Sequence, residues 1–262
     1  MTLFSHQNSV LAAMAAILIL PSTPAPARTI KLDARHCDRM AVLSNTAPMH
    51  GWAAPAGHRC CFSAVQPRSG HSWHHSSRWG STLVNDLIQI NPERRFLISF
   101  ALKDVIPEGH RVVHAQLTLP ITYAPENEPR FYLWRILLDW GPGVCHLYRT
   151  THPEPVAWTS PGATGLSSDR ATHPTDIVRL PPSVIQFLGR GRLNQWSTDK
   201  IREVSINVTE DVELWHSGAA ENNGWLFTVE DPGVSIEMLS PAWDGRDRWT
   251  LRITHEPEPR DP

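Results

Sequence analysis

Apolar and polar positions alternate most clearly between residues 96 and 119. Phe96, Ile98, Phe100 and Leu102 alternate with Leu97, Ser99, Ala101 and Lys103, and Ile106-Pro107-Glu108-Gly109 follows as a turn. Val113, Ala115, Leu117 and Leu119 then alternate with His114, Gln116 and Thr118. A period of two puts successive side chains on opposite faces, so this segment predicts a strand with one wet face. Phe131 to Leu138 is apolar on both faces apart from Arg135. Its aromatic content favours a strand buried on two sides over a piece of helix.

Further strands are expected at Val204 to Val208, Trp225 to Val229, Val234 to Met238 and Trp249 to Thr254, each bounded by Gly, Pro, Asn or Asp. Glu210 to His216 reads as a short helix, with Thr209 placed to cap it, Val212 and Trp215 on one face, and Gly218 as its stop. A second short helix is expected around Ser183 to Leu188. Short strands with frequent turns and no alternating long helices predict an all-β fold, an antiparallel β-sandwich with one or two short helices. Residues 28–79 mix His, Ser, Pro, Gly and Cys with little periodicity, and read as an irregular N-terminal segment.

Composition narrows the classes. The 262 residues carry 24 Lys plus Arg against 26 Asp plus Glu, a formal charge of -2, with no basic run. Phosphate-driven nucleic-acid binding needs a clustered basic excess, so no nucleic-acid partner is expected. A 41% hydrophobic share and 19% charged residues suit a packed core. The 11 Trp and 23 Pro suggest rigid aromatic anchors and many strand breaks.

Val10 to Leu20 is an apolar run of the length of a secretory signal's hydrophobic region, broken by Pro21 and Pro24, and Ala25-Pro26-Ala27 offers small residues for cleavage before Arg28. Residues 1–27 are therefore expected to be a signal peptide, the product to be secreted or held at the cell surface, and no membrane span to remain after cleavage. In an exported chain Cys37, Cys60, Cys61 and Cys145 are disulfide candidates, with Cys37 bridged to one of the 60/61 pair and Cys145 either taking the other or remaining free.

Several phrases carry a resemblance. Phe96 to Leu102, Ile106-Pro107-Glu108-Gly109 and Val112 to Leu119 are followed by Trp158-Thr159-Ser160-Pro161-Gly162-Ala163-Thr164-Gly165 with Asp169-Arg170. Val208-Thr209-x-Asp211-Val212-x-x-Trp215-x-x-Gly218 then leads to Asn223-Gly224-Trp225, and Ser240-Pro241-x-Trp243 to Arg248 through Thr254. In this order they resemble DNRLRE-domain proteins over about residues 80–255, leaving 256–262 as a tail. The literal DNRLRE string is absent, and Leu180 to Arg202 reads as an insertion. The resemblance implies an exported jelly-roll sandwich related to carbohydrate-binding modules, without a catalytic centre.

Candidate chemistry centres on tryptophan, because an indole face packs on the C–H face of a sugar while polar neighbours take its hydroxyls. Trp140, Trp158 and Trp243 lie in turns and, with Arg170, are the expected ligand-binding residues. Trp134, Trp215, Trp225 and Trp249 fall in element patterns and read as core. The expected partner is a polysaccharide or another cell-surface glycan. A second reading is a metal-assisted polysaccharide hydrolase or lyase using His71, His74 and His75 or the loop carboxylates Asp139, Asp169, Asp244 and Asp247. A third is a structural surface or matrix assembly protein. No cofactor is expected, although loop carboxylates also suit structural calcium, and Asp169 next to Arg170 reads as a loop-bracing ion pair.

Overall fold

A computed structural model of the chain describes residues 26–46, 48, 83–84, 87–184, 201–239 and 249–258. Two antiparallel sheets form a β-sandwich. The first follows the path β1 (Arg28–Asp33), β15 (Thr250–Pro257), β6 (His110–Ala124), β14 (Ile236–Leu239), β4 (Leu87–Ile90) and β3 (Leu83–Val84), and β11 (Ser183–Val184) and β12 (Arg202–Asn207) also pair with β6. The second runs β10 (Asp176–Arg179), β7 (Arg130–Arg135), β13 (Trp225–Val229), β5 (Arg94–Phe100) and β2 (Cys37–Ser44). The two-stranded ribbon of β8 (Tyr148–Thr150) and β9 (Val156–Ala157) belongs to the 137–172 loop.

The alternation read in the sequence sets which residues meet between the sheets. Phe96 and Ile98 of β5 and Trp225 and Phe227 of β13 pack with Leu117 and Leu119 of β6 and Leu251 and Ile253 of β15. The rings of Phe96 and Phe227 stack with centroids 5.9 Å apart, and Trp249 meets both edge-on. Such geometry suits aromatic quadrupoles and adds to the gain from burial.

The second sheet is buried on its other face as well. Leu97 of β5, Leu226 of β13, and Trp134 of β7 with the adjoining Ile136 pack beneath Trp140, Val144, Trp158 and Ala163 of the 137–172 loop. This second interior explains why Phe131 to Leu138 is apolar on both faces: the loop covers what would otherwise be a wet side.

Three expectations change. Residues 28–44 are not irregular: Ile30 and Leu32 alternate inward on β1, and the run Met40 to Leu43 on β2 serves both interiors. Thr209 is the first residue of α1 (Thr209–His216), not its cap. Its Oγ1 accepts the Ala115 N–H at 2.9 Å, and no side chain caps the helix. Ser183–Val184 is extended along β6, and residues 185–188 of the expected second helix lie outside the described residues.

Candidate functional site

The expected ligand platform is interior. Trp140 is 1% exposed and its Nε1 donates to the Asn223 carbonyl at 2.8 Å. Trp158 is 4% exposed, with Nε1 donating to the Cys145 carbonyl at 3.0 Å. Arg170 is also buried, its guanidinium 3.8 Å from the Trp134 ring centroid and 3.8 Å from a Glu230 carboxylate oxygen. The loop position of these residues suggested exposure, whereas the loop is itself a layer of the fold. Trp243, Asp244, Asp247 and the His71, His74 and His75 cluster lie outside the described residues, as do Cys60, Cys61 and residues 1–25 of the expected signal peptide.

Asp169 braces its loop through backbone N–H groups. Its carboxylate accepts from Thr159 at 2.7 Å, Ser160 at 2.8 Å and Gly165 at 3.0 Å. Three donors satisfy the buried charge, and they make the oxygens poor ligands for a cation. Among the described residues no group of three or more His, Cys, Asp or Glu is arranged to hold a metal, and no helix is long and apolar enough to cross a membrane. Cys37 and Cys145 are buried free thiols, each pushed upward in pKa chiefly by burial.

An open cleft of about 590 Å³ lies elsewhere, between α1 and the 101–109 loop. One wall carries Phe100, Lys103, Asp104 and Glu108, with Asp38 from β2 beside them. The other carries Val212, Trp215 and His216 of α1, and Asn222. The 101–109 loop is two successive turns, closed by Val105 N–H to the Leu102 carbonyl and His110 N–H to the Pro107 carbonyl. Asp104 and Gly109 take left-handed backbone, at φ 61° and 71°.

The helical wall is fastened from beneath. Buried Asp211 accepts from Thr175 Oγ1 at 2.6 Å and Trp225 Nε1 at 2.7 Å, and Arg135 Nε lies 2.9 Å from its other oxygen. Burial raises its pKa, opposed by those two hydrogen bonds and by the Arg135 charge. At the far end of the helix His216 Nε2 donates to the His110 carbonyl at 2.6 Å, and Glu213 Oε2 accepts the Val112 N–H at 2.8 Å. Asn222 Nδ2 donates to the Phe100 carbonyl at 2.8 Å, joining the two walls.

Trp215 packs on Trp225 with ring centroids 4.7 Å apart and is 9% exposed, and its buried Nε1 has no hydrogen-bond partner among the described residues. The sequence reading placed Trp215 in the core and passed over the other cleft residues. The signal was present in the phrases themselves: Ile106 to Gly109 and Val208 to Gly224 face one another here, with Ile106, Glu108, Val212, Trp215, His216 and Asn222 on the lining. No protein-family model matches the chain, and a search of curated proteins finds no match either.

Proposed function

We propose that the chain is an exported, non-catalytic binding module whose sandwich presents a saccharide cleft between the 101–109 loop and α1. The observation that carries this reading is the composition of the cleft: the polar side chains of Lys103, Asp104, Glu108, His216 and Asn222 line it around Phe100, Val212 and Trp215, which are themselves buried. A concave site with a few placed polar groups can take a saccharide's hydroxyls. The resemblance to DNRLRE domains supports the same reading, because its phrases supply both walls. In this reading recognition moves from Trp140 and Trp158 to the cleft between the 101–109 loop and α1.

Affinity electrophoresis through gels containing a panel of neutral, acidic and basic polysaccharides tests it. Retardation by at least one polysaccharide, lost in the Lys103→Ala/Asp104→Ala variant and kept in Arg130→Ala, supports the reading. Free migration through every gel overturns it.

A further inference from the structure

His110 joins both walls of the cleft. Its N–H donates to the Pro107 carbonyl at 3.3 Å and closes the 101–109 loop, while its carbonyl accepts from Nε2 of His216, the last residue of α1, at 2.6 Å. Two residues on, the Val112 N–H donates to Glu213 of the same helical end at 2.8 Å. Gly109, left-handed at φ 71°, precedes His110, and its carbonyl accepts from the Glu258 N–H at 2.9 Å.

The His110 side chain is engaged by β15. Its Nδ1 lies 2.9 Å from Nδ1 of His255, the ring centroids are 4.9 Å apart, and His255 is 3% exposed. Two nitrogens at that distance have room for a single hydrogen between them. One added proton fits, because it goes to Nε2 of the donor ring and the Nδ1–H···Nδ1 bond survives. A second puts hydrogens on both Nδ1 atoms and positive charge on both touching rings, and the contact must break.

The surrounding charges add to that cost. Arg28 of β1 is the register partner of His255, and both Arg28 and His216 of α1 act on it as cations alongside His110. Of the carboxylates on these elements, Glu256 accepts from Arg111 Nε at 2.9 Å and Glu213 accepts the Val112 N–H. Asp104 and Glu108 line the cleft together with Lys103 and His216. Burial first, and then the positive neighbours, hold the His255 pKa below 6.5.

We infer that the His110–His255 contact is an acid-released latch on the cleft: in mildly acid solution the two rings part, and the end of α1 and the 101–109 loop loosen together while the sandwich stays folded. The inference rests on this seam and is independent of what the cleft binds.

Amide hydrogen exchange on the full chain, resolved by proteolysis and corrected for the intrinsic effect of pH on exchange, tests it at about pH 7.5 and about pH 5. Peptides covering 101–116 and 209–217 are expected to exchange about tenfold or more faster at the lower pH, and one covering Trp225–Val229 to keep its protection. In His255→Gln, whose amide offers an acceptor to His110 Nδ1–H and takes no proton, the increase is expected to vanish. If circular dichroism shows that variant unfolded, His110→Gln takes its place with the same expected result.

Equal protection of the two seam peptides at both pH values overturns the inference. So does a loss that spreads equally to Trp225–Val229, which is global unfolding, or one that persists in the folded variant, which puts the titrating group elsewhere.

Discussion

The central guanidinium carbon of Arg170 sits 3.8 Å from the centre of the Trp134 ring, inside the layer formed by the 137–172 loop. Arg170 is thus packed against an indole and largely buried. A desolvated cation over a tryptophan face stabilises by about 1–2 kcal/mol. Arg170→Ala is expected to lower unfolding free energy by about 2 kcal/mol, counting lost packing as well. Arg170→Lys, which cannot spread over the ring, is expected to lose about half as much. Urea denaturation of the two variants gives both values, and polysaccharide retardation should not change in either.

Asp169 is the knot of the same loop. Asn in its place keeps one acceptor oxygen but turns an NH2 group toward N–H donors, leaving at least one of the three unmatched. Asp169→Asn is expected to cost about 2–3 kcal/mol by the usual penalty for a buried unsatisfied donor. Because Thr159 and Ser160 follow Trp158 directly, the loosened loop should also change the Trp158 environment, read as a shift in tryptophan fluorescence.

Gly224 admits no side chain. Its backbone is left-handed at φ 74°, and a Cβ would stand 2.2 Å from the Ile98 carbonyl oxygen and 2.8 Å from Ser99 Cα. Both are backbone atoms of β5, so neither can swing away. Gly224→Ala is expected to destabilise by on the order of 3 kcal/mol, combining left-handed strain with strand displacement. Gly218→Ala, at φ 75° with nothing within 4 Å of a Cβ, isolates the strain and should cost about 1 kcal/mol. Thermal melts of the pair measure the difference.

His110 and His255 share one hydrogen between their Nδ1 atoms, 2.9 Å apart. Burial lowers the His255 pKa below 6.5, and the charges of His110, Arg28 and His216 lower it further. The folded state therefore refuses a proton that the unfolded chain accepts. Above about pH 6.5 both forms are neutral and stability is indifferent to pH through this group. As pH falls below that value stability declines, until the folded form is protonated as well. His146, lowered by burial and by Arg95, acts with the same sign. Denaturation curves between pH 8 and pH 5 should show this fall, with a shallower slope in His255→Gln, where only His146 of the two remains.

Much of the sandwich was legible because its central strands obey a period of two. Trp225–Val229 has the expected bounds, and the others shift by a few residues, as with β5 at Arg94–Phe100 and β12 at Arg202–Asn207. β1 and β2 were missed because their neighbours in sequence are rich in Ser, Pro and His, which masked the contiguous run Met40 to Leu43. The candidate site was hidden for a different reason. Trp140 and Trp158 stand at irregular spacing, which suggests loop, and a loop suggests solvent; only the packing shows that this one is a lid over Leu97 and Leu226. Trp215 has a helical neighbour pattern that suggests core, and it is mostly core, yet it also borders the cleft. Periodicity reports which face is apolar. It does not report how much of that face its neighbours leave uncovered.

The strand β13 is walled in on all four sides, by β5 and β7 laterally and by an aromatic layer above and below. A disturbance on either surface of that strand is felt on the other, so the outer loop cannot peel away while the sandwich keeps its shape. Melting should accordingly proceed as one event, with the deuterium exchange of Leu226 and Phe227 amides the slowest in the chain.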